Sequence, residues 1–279
     1  MLAPKIISNK FTDWNQKHKA PFGSEWWYKF VNSKNRGSNF AWRNRFKIPY
    51  LLMQQIGAFG FQHNSQTRIF EYPWCFFATP LEAGMRVLEV GAGASGFQFI
   101  LAEHGLEVTS VDPLINPSEK VDWLFTSHQF NYLNQAFRGK VNFIQDFLQN
   151  AQIESNTYDR VFSISAIEHI PPEEVAPLVK EIARILKPGG FFIATIDLFL
   201  DCYPFTAKIS NRYGSNISIC SLIEASGLRI KVGNPCELYG YPEFKPENIH
   251  QQLDEFLVVK DPWEKCLILT QCIILEKVT

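Results

Sequence analysis

The sequence predicts an α/β protein built on a doubly wound parallel sheet, and three observations carry that prediction. From residue 86 onward, apolar runs of strand length alternate with amphipathic segments of helix length, the pattern of parallel strands joined by crossover helices. The first run, "RVLEVGAG", ends in glycines, as a buried strand feeding a tight turn does. The residues with unusual chemistry fall at the carboxyl ends of these runs, where ligands bind in such sheets.

Taken in order, residues 1–80 differ from the rest of the chain. They are rich in aromatics ("EWWYKF", "NFAWRNRF", "EYPWCFF"), carry scattered Lys and Arg, and place apolar residues near helical spacing around 46–59. This predicts a mostly helical, aromatic-rich cap segment that packs over the core and is not a free-standing domain. After "RVLEVGAG", "GFQFILAEHG" has helical periodicity and stops at Gly105. "EVTSVDP" and "VNFIQDF" read as the second and third strands, and "YDRVFSISAIEHI" contains the fourth. The next helix, "PPEEVAPLVKEIARILKPGG", has prolines at its start, acids in its first turn and bases in its last. "GGFFIATID" is a fifth strand, residues 216–226 a helix, and "LRIKVGN" and "CLILTQCIILE" the last two strands, a hairpin-like pair at one edge.

Composition narrows the class. Hydrophobic residues make up 46% of the 279 and charged residues 20%, with a net charge of −1, which is globular and gives no basic footprint for nucleic acid. The six cysteines, at 75, 202, 220, 236, 266 and 272, form no C-x-x-C pair and no zinc-finger spacing, so free thiols in a reducing compartment are expected. "MLAPKIISNKFTDW" lacks a signal-peptide apolar stretch, and no apolar run reaches the roughly 20 residues of a membrane helix. A cytoplasmic protein with no membrane partner is expected.

Gly91-x-Gly93-x-x-Gly96 has the spacing of a dinucleotide-binding turn, with Asp112 about 20 residues further on for ribose hydroxyls. Glu89, two residues before the first glycine, opposes that reading. A carboxylate beside a pyrophosphate repels it by several kcal/mol at an effective dielectric of about 20, whereas an ammonium there is favoured by a similar amount. The ordered set "VLEVGAGASG", "VTSVDP", "FIQDF", "YDRVFSISAIEHI" and "ILKPGGFFIAT" resembles the class I S-adenosylmethionine-dependent methyltransferases over roughly residues 84–197. The resemblance implies a Rossmann-like seven-stranded sheet, mostly parallel with an antiparallel last strand, as a domain over 81–279. It also implies S-adenosyl-L-methionine as cofactor. Glu89, Gly91, Ala92 and Gly93 would then line the methionine part, and Asp112 with Pro113 would take the ribose. Asp146 would accept from the adenine amino group beside Phe147, and Ser165 and Ala166 would lie under the sulfonium.

The acceptor side is less determined. His169, just past strand four, is the candidate general base; the alternative is that the Glu168–His169 pair only stabilises the turn. No metal is expected, because a metal-using relative would have Glu where Ser165 stands and the other histidines lack ligand spacing. Adenine- and glutamine-type amino methylation calls for an Asn/Asp-Pro-Pro-aromatic element where this chain reads "SISAIE", and no Pro-Cys pair stands where cytosine methylation needs it. Substrate contacts are expected from Tyr72 and Trp74 in "RIFEYPW", from Tyr203, and from Tyr239 and Tyr241 in a substrate loop at about 233–262. For each of these aromatics, packing of an appended layer is the competing explanation. The basic stretch Lys34–Lys47 is either a solvated face or a site for an anionic acceptor.

The function expected is methyl transfer to a small-molecule or modified-peptide acceptor, with oxygen, a hydroxyl or carboxylate, ahead of nitrogen or carbon. Natural-product or surface-sugar tailoring is the setting suggested by analogy. An NAD(P)-binding oxidoreductase is the alternative from another class, opposed by Glu89 and by the want of a Tyr-Lys pair. A non-catalytic binding subunit is opposed by the intact Glu89, Gly91, Gly93 and Asp112. The acceptor's identity and the oligomeric state are not fixed by the sequence.

Overall fold

The computed structural model describes residues 1–114, 126–261 and 266–278, and a mixed sheet forms its centre. From one edge to the other run β3 (Asn142–Ile144), β2 (Glu107–Val111), β1 (Arg86–Val90), β4 (Tyr158–Ile164), β5 (Leu186–Phe199), β8 (Leu267–Glu276) and β6 (Arg229–Val232). The two-residue β7 (Val259–Lys260) pairs with the start of β8 off this path. β1 to β5 are mutually parallel, while β8 runs antiparallel between β5 and β6. β1 is buried at every residue after Arg86, as a parallel strand covered on both faces must be.

The fold class expected from the sequence is the one found, with adjustments. The last strand does pair with β6, but it is inserted inside the sheet and leaves β6 as the edge. β7 and the helix α10 (Pro246–Gln251) lie in what reads as an irregular loop, of which Pro262 falls outside the described residues. A helix not anticipated, α7 (Ser127–Ala136), precedes β3 and opens with a capping box between Thr126 and Gln129.

Two helical layers cover the sheet. α8 (Pro172–Ile185) and α9 (Ile219–Ser226) bury Val179, Ile182 and Leu222 against Leu88, Val161, Phe192 and Ile273 on one face. The other face is covered by α6 (Phe97–Glu103), α7 and the N-terminal helices α1 (Asn9–His18), α2 (Glu25–Asn32), α3 (Arg36–Arg43), α4 (Tyr50–Ile56) and α5 (Arg68–Phe77). There Trp14, Phe59 and Tyr72 share one core with Phe97, Phe130 and Phe162. Full burial of a large apolar side chain contributes about 1.5–3 kcal/mol, so this layer holds a large share of the stability. No helix among the described residues is long and apolar enough to cross a membrane.

α5 carries Pro73 in its interior. Proline has no N–H for the carbonyl four residues back, here that of Ile69, and Asn15 Nδ2 of α1 donates to that oxygen at 2.7 Å. The side chain of one helix thus completes the backbone of another and fixes α5 over the sheet.

Candidate active site

The carboxyl ends of β1, β2 and β4 meet at one edge of the sheet. Gly91 N donates to Val111 O at 2.9 Å, tying the turn after β1 to the end of β2. Gly91 and Gly93 both have positive φ, +68° and +54°; a Cβ would lie 2.6 Å from Ala166 Cβ at the first and 2.5 Å from Gln62 Oε1 at the second. Conformation favours glycine at both positions, and at Gly91 the Ala166 Cβ also leaves no room for a side chain. Gln62 Oε1 accepts from Ala94 N at 2.7 Å, so a residue of the N-terminal layer is seated on the turn.

Glu89 is 1% exposed. One of its oxygens lies 3.4 Å from Ser95 Oγ, and the other is buried with no hydrogen-bond partner among the described residues. Burial pushes its carboxyl up to about 8; the Ser95 hydrogen bond opposes this and the nearby Asp112 adds to it. Asp112 accepts from Gly93 N and Leu114 N, each at 2.8 Å, one bond per oxygen. Burial raises it and these backbone bonds pull it back. Asp112 N donates to Ile144 O at 3.1 Å, which sets the end of β2 beside the segment containing Asp146. Asp146 accepts from Phe147 N at 2.7 Å and Asn150 Nδ2 at 3.0 Å, while the Phe147 ring is 47% exposed. The sequence-expected residues Glu89, Gly91, Ala92, Gly93, Asp112, Pro113, Ser165 and Ala166 are thus gathered at adjacent strand ends, with Asp146 and Phe147 flanking them.

Ser165, at φ +40°, turns the chain out of β4. Arg68 Nη1 donates to its hydroxyl at 2.6 Å, and the hydroxyl donates to Glu71 Oε1 at 2.6 Å. Arg68 and Glu71 form a short ion pair one helical turn apart on α5. Burial alone would raise Glu71, but the guanidinium and its hydrogen bonds hold it below the usual carboxylate range. Asp197 Oδ1 lies 3.2 Å from Ser165 Oγ, and Asp197 N donates to Glu168 Oε1 at 3.1 Å. His169 follows directly. Its Nδ1 is bonded to the Tyr213 carbonyl, and since a carbonyl only accepts, Nδ1 carries the proton and the ring's lone pair sits on Nε2. Burial lowers its pKa, with the Tyr213 bond acting against that.

The aromatic expectations divide. The sequence places Tyr72 and Trp74 at the acceptor, but the structure packs both into the core. Tyr72 is 1% exposed, stacked on Phe97 and donating to Asn64 Oδ1 at 2.8 Å. The residues of that stretch that reach the end of β4 are Arg68 and Glu71, through the Ser165 hydroxyl. Tyr203 and Tyr239 do come together, edge to face at 6.4 Å, with Tyr203 55% exposed. Tyr241 packs separately, against the core of α8 and α9. Sequence reasoning missed Gln62, Arg68, Glu71 and Asp197 as site residues. Asp197 had a signal, an acid inside the apolar run "FFIATIDLFL", while Gln62 had none.

A glycine turn, a buried carboxylate with one unpartnered oxygen among the described residues and a second carboxylate at the next strand end thus lie together at one edge of a doubly wound sheet. Residues 88–194 match the sequence model of the methyltransferase domain family. A ubiquinone biosynthesis O-methyltransferase of Xanthomonas oryzae pv. oryzae is 30% identical over 118 residues, 41% of this chain and 44% of that protein. The sterol 4-C-methyltransferase strm-1 of Caenorhabditis elegans is 29% identical over 121 residues, 43% of this chain and 34% of that protein. The chain therefore spans less than half the length of these curated relatives. The [4+2]-cyclase SpnF superposes with a TM-score of 0.54 at 13% identity, covering 86% of this chain and 95% of that one, a likeness of fold alone. Over residues 88–194 the chain is thus similar to the methyltransferase domain family, and the cofactor its sequence resemblance implies is S-adenosylmethionine. The residues fit that group: Glu89 has an unpartnered oxygen for an ammonium, and the turn bears no side chain at Gly91 or Gly93.

Proposed function

We propose that the protein methylates an oxygen, a hydroxyl or a carboxylate, of a small-molecule or modified-peptide acceptor by in-line displacement, in the cytoplasm. When bound, S-adenosylmethionine supplies a methyl group already activated on a sulfonium. The chain's own part is to hold and align. Glu89, with Gly91, Ala92 and Gly93, receives the ammonium end. Asp112 and Pro113 take the ribose hydroxyls, Asp146 and Phe147 the adenine, and Ser165 and Ala166 lie under the sulfonium. Tyr203 and Tyr239 contribute to the acceptor side. The curated relatives named for a sterol and for ubiquinone biosynthesis support a small-molecule acceptor.

The observation that carries the oxygen reading is His169. An oxygen nucleophile must lose a proton as it is methylated, and this imidazole keeps its proton on Nδ1 by bonding to Tyr213 O, so Nε2 is its basic nitrogen. Burial keeps the ring neutral through the physiological range, so activity is expected to fall only below the ordinary histidine value of about 6.5. In His169→Ala, kcat should drop by about 10²–10⁴ and the acid limb should disappear; an unchanged rate and profile would remove His169 from the chemistry. For the donor, calorimetry should show micromolar binding of S-adenosylhomocysteine and none of NAD, with affinity lost in Asp112→Ala. Binding of NAD in its place would overturn the methyl-transfer reading.

A further inference from the structure

Around Ser165 the buried side chains carry more acid than one guanidinium balances. Arg68 and Glu71 face it from α5, Glu168 and His169 from the turn after β4, Asp197 from β5, and Cys272 of β8 lies in the same electrostatic neighbourhood. Glu71 is paired with Arg68. Asp197 is 6% exposed, and no hydrogen bond from Arg68 to it is found among the described residues. One oxygen of Glu168 is buried with no partner among them.

The Ser165 hydroxyl decides where a proton sits. It has one hydrogen and two lone pairs. Arg68 donates into one lone pair, and the hydrogen goes to Glu71, which the ion pair keeps ionised. The contact to Asp197 Oδ1 at 3.2 Å is then a hydrogen bond only if Asp197 brings its own proton and donates to the remaining lone pair. Burial, with the Glu168 and Glu71 carboxylates nearby, independently raises Asp197 well above the usual carboxylate range. Ala166, the next residue, touches the turn at Gly91, so this network adjoins the cofactor turn.

We infer that Asp197 is a charge switch that sets donor over product: it holds its proton until the cationic methyl donor binds beside Ser165, and releases it then. This rests on the methyl-transfer reading of the site. A buried carboxyl ionises more readily when a positive charge arrives, so the sulfonium of S-adenosylmethionine stabilises the ionised form. S-Adenosylhomocysteine has a neutral sulfur and leaves the proton in place. The proton released to solvent on donor binding comes from the carboxyl O–H bond alone; no other bond changes. Both ligands carry the same ammonium opposite Glu89, so any proton lost there is common to both and cancels in the difference.

The test is titration calorimetry of the intact protein with each ligand in buffers of different ionisation enthalpy, from about pH 6 to 9. S-Adenosylmethionine should release up to one more proton than S-adenosylhomocysteine. Its relative affinity should rise about tenfold per pH unit, levelling off once Asp197 is ionised in the free protein. Asp197→Asn should abolish the difference, with folding checked by circular dichroism. Ser165→Ala, which removes the acceptor of the Asp197 proton, should move the levelling point to lower pH; it keeps the test intact if Asp197→Asn does not fold. Equal proton release by the two ligands, a difference that survives Asp197→Asn, or a levelling point unmoved in Ser165→Ala would overturn the switch while leaving methyl-donor binding in place. Failure of both ligands to bind would overturn the methyl-transfer reading itself and the switch with it.

Discussion

Glu89, proposed to receive the ligand's ammonium, costs the free protein stability near neutral pH. Its carboxyl is buried and rises from 4.5 to about 8 on folding, and each pKa unit corresponds to about 1.4 kcal/mol. Because the folded value is the higher one, the native state holds the proton more tightly than the unfolded chain does. Stability contributed by this group is therefore present at low pH and lost progressively as pH rises from about 4.5 to about 8. Glu89→Gln keeps the shape and removes the charge. Its unfolding free energy from urea titration should match the wild type near pH 4.5 and exceed it by an amount that grows to a few kcal/mol at about pH 8.5 and then stays level. A gap that stays constant with pH would show that Glu89 does not titrate in this range. Glu89 is legible in the sequence because it stands two residues from a glycine turn. Arg68 and Glu71 are legible only as an i, i+3 pair on a helix: their common partner, Ser165, is 97 and 94 residues away, and only the folded chain shows that they meet there.

At the level of elements, the strands announced themselves by short apolar runs, while their order did not. Nothing in "CLILTQCIILE" says that it will separate β5 from β6, since the pairing is decided by tertiary closure. α7 was hidden for a different reason: "SHQFNYLNQA" buries only Phe130, Leu133 and Ala136, a stripe too thin to stand out beside its polar residues, although its Thr126–Gln129 cap was readable. The link between α1 and α5 is the clearest case of one element supporting another. Asn15 supplies the hydrogen bond that Pro73 denies to Ile69, so Asn15→Ala leaves a carbonyl without a donor. The expected loss is about 1–3 kcal/mol, read as a lower denaturant midpoint with an unchanged slope. Asp13→Ala, at an exposed position of the same helix, should change stability by no more than about 0.5 kcal/mol. Equal effects from the two would show that the Asn15 contact contributes nothing beyond helix α1 itself.

For the whole molecule, the decisive feature is that one core is shared by the N-terminal helices and the sheet. Trp14 of α1 lies 6.0 Å from Phe59 and 6.5 Å from Phe97, ring to ring, and Phe97 in turn lies edge-on to Phe162 of β4 at 5.5 Å. The aromatic relay runs from the first helix to the middle of the sheet with no polar layer between, so the N-terminal helices and the sheet have no separate surfaces to fall back on. Removing residues 1–66 would take Trp14 from Phe97, buried in the intact chain, and open the core the two layers share, leaving an apolar patch of the kind that leads to aggregation. Two outcomes are expected. The intact chain should unfold in one step, with tryptophan fluorescence, weighted to the N-terminal layer, and far-ultraviolet circular dichroism, weighted to the whole molecule, giving coincident transitions. Trp14→Ala should shift both curves together by about 3–5 kcal/mol. If fluorescence moves ahead of circular dichroism, in either protein, the N-terminal helices unfold from an intact sheet. In that case Gln62, Arg68 and Glu71 could leave the active site without global unfolding, and the layer would act as a lid on the cofactor turn.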